Sequence, residues 1–292
     1  MHPQQIEPGI ESLPASRPGR PARFKDALVI VLAFLGAQLA LGLVLGGIAA
    51  VTSMPTTAAL LGLLDAASIV VALWAASSRL RLRTRSLLPL RRSPAAVYVL
   101  AVAGAIGGAL LLHPAERLLA GLLPVPRLLK SVFSAMINPR DIPGSVFLAL
   151  IVAPIGEEIL FRGVILRGFQ SVYGNLRGLL FSALLFGAVH LNLYQFMGGF
   201  LLGLFLGWLF IRTGSLVPSV IAHAVYNGSL VGVGYLQRWL TGGAPGAAAR
   251  LPAGFVSVAS AVLGAAVVCA CAWLVWTVTV RPAAPPSVRT VE

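Results

Sequence analysis

Residues Val146 to Leu166 read VFLALIVAPIGEEILFRGVIL. This stretch is long and apolar enough to cross a bilayer, yet Glu157, Glu158 and Arg162 lie in its interior. A charge at that depth costs on the order of 3 kcal/mol or more unless it is paired or wetted. Glu158 and Arg162 are four residues apart, share a helix face and are able to pair. Glu157 points about 100° away and has no local partner. An unpartnered carboxylate inside a membrane span is a functional candidate.

The surrounding chain fits this reading. Hydrophobic residues make up 58% of the 292 and charged residues only 11%, which is the composition of a polytopic membrane protein. The expected fold is an all-α bundle of about eight transmembrane helices, from apolar runs near 27–50, 57–77, 95–113, 145–166, 178–193, 195–211, 215–236 and 254–280. The net charge of +13 would suggest nucleic acid in a soluble chain. Here 16 of the 22 basic residues, Arg162 among them, fall on one side of the eight-span arrangement, so the charge is read as topology and no nucleic-acid partner is expected. This bias places both termini in the cytoplasm of a multi-pass protein of the cell membrane.

The segments follow. Residues 1–26 read as a polar, proline-rich cytosolic tail, and 27–113 hold the first spans. The length of the first run suits a retained span better than a cleaved signal peptide. Residues 114–143 alternate leucine pairs with basic residues and prolines, as expected of an interfacial connection on the outer leaflet or of a partly inserted hairpin; we read the former. The core is 144–236, followed by an external loop (237–253), a last span (254–280) and a disordered end (281–292). Cys269 and Cys271 lie in an apolar run without the further ligands of a zinc site and read as packing or lipid-facing residues. Asp65, alone in the second span, reads as a polar contact within the bundle rather than a substrate group. Glycines at 199, 203 and 207, at 42 and 46, and at 104 and 108 would let helices approach closely.

Further polar residues fall inside spans: His190, with Asn192 near the end of the same run, and His223 and Asn227 in the seventh. At 1.5 Å per residue, Glu157 lies ~12 Å from the cytosolic face, and His190, His223 and Asn227 come within about one helical turn of the same depth. Phe186 and His190 are four apart, as are His223 and Asn227, so each pair shares a face. Pro154 and Pro218 lie just upstream of Glu157 and His223, where each removes a backbone hydrogen bond and opens the helix to water. A wet cavity opening to the cytosol is expected.

The pattern EExxxR (Glu157, Glu158, Arg162), then FxxxH (Phe186, His190), then HxxxN (His223, Asn227), in this order on successive spans, resembles the CAAX-protease and bacteriocin-processing family of intramembrane glutamic endopeptidases, also called Abi. The resemblance covers about residues 144–236. It implies that Glu157 is the general base activating a water, that His190 holds the same water, and that His223 and Asn227 stabilise the oxyanion. Glu158 and Arg162 would orient and charge-balance those groups. It implies no cofactor and no metal, with a membrane-associated protein or peptide as substrate. Arginine outnumbers lysine 20 to 2, which points to a GC-rich bacterial genome and away from a prenylated substrate. Other readings stay open: a zinc-dependent membrane hydrolase with Glu157, His190 and His223 as ligands, a proton-coupled transporter, and a non-catalytic binder of membrane peptides.

Overall fold

The computed structural model describes residues 20–82, 88–123, 125–240 and 254–279, and among these every regular element is helical. The chain runs through α1 (Phe24–Thr52), α2 (Ala58–Leu80), α3 (Ala95–Leu122) and the short α4 (Arg127–Met136). A helical stretch of 50 residues, Pro139–Ala188, follows. Its backbone leaves the helical region at Gly174 (φ 79°, ψ 174°), a conformation that favours glycine, and this divides it into α5 (142–173) and α6 (175–188). Then come α7 (Leu193–Thr213), α8 (Leu216–Leu240) and α9 (Gly254–Val278). Among the described residues, seven stretches are long and apolar enough to span a membrane. The eight runs of the sequence each fall in a helix; the counts differ because α5 and α6 continue into one another across Gly174.

Two boundaries differ from the sequence reading. The third helix does not stop at Pro114 but continues to Leu122, because one missing N–H removes a single bond while the turns on either side remain intact. The connection expected over 114–143 therefore shortens, and Glu116 becomes a helical residue. At the other boundary, α1 begins at Phe24 and the residues just before it are already docked. The buried carboxylate of Asp26 receives Arg20 at 2.7 and 2.9 Å and Arg79 at 2.8 Å, tying the start of α1 to the end of α2. Residues 1–19 and 280–292, and 241–253 of the expected external loop, lie outside the described residues.

α5 is the central element. It packs on α2, α6 and α8, while α9 covers α3 and α1 covers α2. Its residues Leu160 to Leu166 are all buried, which only a helix surrounded on every side requires. Large apolar side chains such as Leu39, Leu43, Trp74 and Trp273 face outward, as lipid contact demands.

Small residues permit the close approaches. A methyl on Gly203 would meet Ala183 at 3.1 Å and one on Gly199 would meet Gly187 at 3.2 Å, so α6 and α7 touch almost backbone to backbone. Gly104 accepts the ring of Phe205. The Gly42 and Gly46 pair makes no such contact, since nothing lies within 4 Å of a methyl on Gly46. A further tight seam joins α3 and α9, where a methyl on Gly264 would fall 2.5 Å from the Gly107 carbonyl oxygen and 2.6 Å from the Leu111 nitrogen. Neither backbone atom is able to swing aside. Gly264→Ala is expected to destabilise the detergent-solubilised protein by about 1–3 kcal/mol, read as a lowered unfolding temperature, whereas Gly46→Ala should leave it unchanged.

Candidate active site

Two segments of α5 are wound more widely than an α-helix, Phe147–Val152 and Ile159–Leu166, and between them lies the α-helical turn Ala153–Glu158 that carries both glutamates. Such i→i+5 bulges are rare and tend to mark functional sites. Pro154 explains part of the first one. In the wide register the Ala153 N–H reaches the Leu148 carbonyl, so the next donor, for the Ala149 carbonyl, would come from residue 154. Proline has none to give. The Asn227 side chain supplies it instead, its Nδ2 donating to the Ala149 oxygen at 3.2 Å.

Behind the site, Arg162 is 1% exposed and donates from Nη1 to Glu158 Oε1 at 2.7 Å and from Nη2 to the Gly203 carbonyl at 3.1 Å. Its guanidinium also lies over the Phe186 ring, 4.5 Å from the centroid. The expected Glu158–Arg162 pair is thus present and fully enclosed. Glu158 Oε1 takes a second bond, 3.0 Å from His223 Nδ1. A carboxylate paired with arginine only accepts, so this nitrogen carries the proton and the His223 ring is fixed in orientation. The other ring nitrogen, Nε2, then faces Glu157, 3.8 Å from Oε2.

His190 is oriented in the same manner from the backbone. Its Nδ1 lies 3.0 Å from the Phe186 carbonyl oxygen, which only accepts, so Nδ1 donates and the neutral ring keeps an acceptor at Nε2. Phe186 also stands edge-on to both imidazoles, at 5.7 Å from His190 and 5.6 Å from His223. The phenylalanine of the FxxxH pattern is therefore the buried plate against which Arg162, His190 and His223 are all set. Asn192 has a different task. It caps α7, accepting from the Gln195 N–H at 2.9 Å.

Glu157, His190, His223 and Asn227 all line one cavity of about 740 Å³. Asp65 lines it as well, holding Gln38 Nε2 at 3.1 Å, so its side chain is both a bundle contact and a wall of the cavity. Glu116 and Tyr226 are wall residues that the sequence reading missed. They converge near Gly198, where a methyl would fall 2.6 Å from Glu116 Oε1 and 3.4 Å from the Tyr226 hydroxyl. Helical spacing through Pro114 was the available signal for Glu116. Tyr226 stands three residues beyond His223, on the same side of α8. Among the described residues no three His, Cys, Asp or Glu side chains are grouped as ligands for a metal ion.

The cavity does not run toward the end of the bundle at which α5 meets α6. Between Glu157 and that end the bundle is filled by Phe161, Arg162, Leu166, Leu206 and Leu209, each 0–1% exposed. From Glu157 the cavity instead extends toward α4, with Phe133, Met136 and Ile137 on its far wall.

The fold and site together define a polytopic helical membrane protein with a polar, acid- and histidine-lined cavity enclosed at one end. Residues 139–229 match the family model described as type II CAAX prenyl endopeptidase Rce1-like, a segment that contains every residue of the three motifs. Over 106 residues the chain is 35% identical to an Escherichia coli protein described as an uncharacterized 24.3 kDa protein. That alignment takes in 35% of this chain and 48% of the relative, so the chain spans about half the length of the curated relative it matches. No solved structure matches.

The enclosed ion pair carries a stability prediction. Arg162→Met leaves Glu158 buried beside a single histidine and opens the Gly203 carbonyl. The loss is expected to be about 3–5 kcal/mol, read as a large fall in folded yield and unfolding temperature in detergent. Glu157→Gln, which breaks no hydrogen bond of the bundle, should shift neither.

Proposed function

We propose that the protein is an intramembrane endopeptidase that hydrolyses a peptide bond with a water activated by Glu157 and His190. The observation that carries the reading is the convergence of Glu157, His190, His223 and Asn227 on one cavity, with Glu158 and Arg162 fixed behind them. The match of residues 139–229 to the Rce1-like endopeptidase model supports the same class of chemistry.

In the proposed reaction Glu157 takes a proton from a water whose oxygen donates its other hydrogen to His190 Nε2. The water oxygen adds to the carbonyl carbon, and the carbonyl oxygen takes up the negative charge. Asn227 uses one amide proton on Ala149 and has a second to offer that oxygen. His223 already spends its Nδ1 proton on Glu158, so its Nε2 donates only after receiving a second proton. Glu157 Oε2, at 3.8 Å, is the nearby source. Passing the water's proton from Glu157 to His223 and then to the departing nitrogen completes the cleavage, leaving a new carboxylic acid, which gives up its proton to solvent, and a new amine. Glu158 acts through His223, as a positioning residue that holds the ring between the two carboxylates.

A zinc hydrolase would use Glu157, His190 and His223 as ligands to the metal, whereas the proposed reaction needs none. The test uses purified protein in detergent with peptides released from bacterial membrane proteins as the substrate pool, and new termini read by mass spectrometry. Glu157→Gln is expected to lower turnover by about 10²–10⁴-fold with the fold intact. Dialysis against a strong chelator should leave turnover unchanged. Near wild-type cleavage by Glu157→Gln would overturn the proposal, and loss of activity on chelation with recovery on adding zinc would select the metal hydrolase instead.

Asn227→Ala separates its two tasks. If the residue serves only the Ala149 carbonyl, stability falls and kcat per folded molecule does not. The proposal expects both to fall, with kcat reduced by about 10²-fold and KM little changed.

A further inference from the structure

The two ends of the bundle are identified by contacts that cross between elements. At one end Arg20 and Arg79 meet Asp26, the Phe24 N–H reaches the Tyr173 hydroxyl at 3.1 Å, the Leu216 N–H reaches the Pro89 carbonyl at 2.9 Å, and Arg212 binds Thr279. At the other end the Ala59 N–H donates to Asp141, the Tyr194 hydroxyl to the Leu123 carbonyl, and the Tyr235 hydroxyl to the Asn138 carbonyl. Each helix therefore has an assigned direction.

Charge divides unequally between these ends. Among the described residues the first carries ten arginines and lysines, from Arg20 to Arg212, and the second carries five, namely Arg117, Arg127, Lys130, Arg140 and Arg238. Arg162 belongs to neither, being buried between them. Leaving it out does not change the sign of the bias. Lysine and arginine gather on the cytoplasmic side of membrane proteins, because translocating them across the membrane is disfavoured. The first end is thus the cytoplasmic one.

The cavity lies on the other side of its own floor. Its deepest polar residues, Glu157 and His223, rest on the packed layer of Phe161, Arg162 and Leu206, which closes the path to the basic end. Its far wall is Val132, Phe133 and Met136 of α4, together with Tyr194 at the start of α7 and Gly234 late in α8, all at the less basic end. α4 itself has the pattern of a helix lying in an interface, with Phe133 and Met136 turned to the cavity and Lys130 and Ser134 exposed.

We infer that the cavity opens to the extracytoplasmic side of the membrane, so that the peptide it takes is a segment of an exported or membrane-anchored protein at the outer leaflet rather than a cytosolic protein. The substrate class rests on the endopeptidase proposal, whereas the side of opening does not. α4 is the element such a segment passes to reach Glu157, and the apolar wall beneath it suits hydrophobic side chains flanking the cleaved bond.

The experiment reads the side of opening without using activity. In the full chain, with Cys269→Ser and Cys271→Ala removing the native thiols, single cysteines are placed at Ser134→Cys on α4 and Ser171→Cys at the basic end, both exposed positions. Intact bacteria expressing each variant are treated with a membrane-impermeant maleimide. Ser134→Cys is expected to label in intact cells to the level reached after permeabilisation, and Ser171→Cys only after permeabilisation. The reverse pattern, or labelling of both in intact cells, overturns the inference. A fluorescent protein that matures only in the cytoplasm, fused to the C-terminus of the unaltered chain, gives an independent reading. Fluorescence is expected; a dark fusion that becomes active when replaced by a periplasmic phosphatase overturns it. Correct sidedness with no cleavage activity would sink the endopeptidase proposal and leave the direction of the cavity standing.

Discussion

The bond between Glu158 and Arg162 is the constraint on which the rest of the site depends. Two charges enclosed in a membrane bundle are tolerable only as a pair with further polar contacts, and here those are the Gly203 carbonyl, the Phe186 ring and His223, while Glu158 Oε2 and Arg162 Nε have no hydrogen-bond partner among the described residues. Each partner comes from a different helix, so the pair pins α5, α6, α7 and α8 at one level. Gly203 is near enough to serve because α6 and α7 approach through Ala183. Glu157, one residue earlier, turns away from this arrangement into the cavity with no hydrogen bond committed. The enclosed carboxylate and the cavity-facing one are thereby separated by about 100° of helix rotation.

Irregular winding of α5 is the second requirement. Pro154 removes the donor that the Ala149 carbonyl would use, and Asn227 answers from α8, so one side chain repairs the backbone and faces the cavity at once. A straight α-helix would present the glutamates without this opening beside them. The wider turns after Glu158 bring Leu160 through Leu166 into the packed floor that closes one end of the cavity.

Much of this was legible from spacing. Four-residue intervals place side chains on one helix face, so Glu158 with Arg162, and His223 with Asn227, follow from helical geometry alone. Depth along each span likewise put Glu157, His190, His223 and Asn227 in one layer, and they line one cavity. Other features depend on contacts between distant segments. Reading Pro114 as a helix end hid Glu116, since a lone proline interrupts one hydrogen bond and not the helix. Asp65 gave no sign of facing the cavity because its partner, Gln38, lies on another helix. The direction of opening is not legible in the same way: depth fixes a layer, while the open side is set by which neighbouring layer is filled with side chains.

The central claim is that Glu157 makes this cavity a site of peptide-bond hydrolysis, and living membranes test it most directly. Protein termini are to be compared between cells carrying the wild-type chain, cells carrying Glu157→Gln at equal abundance, and cells lacking the chain. The account predicts a set of new termini in extracytoplasmic or outer-leaflet segments of membrane proteins, present with the wild type and missing from the other two. Identical termini in all three, or the same new termini with Glu157→Gln, would contradict it.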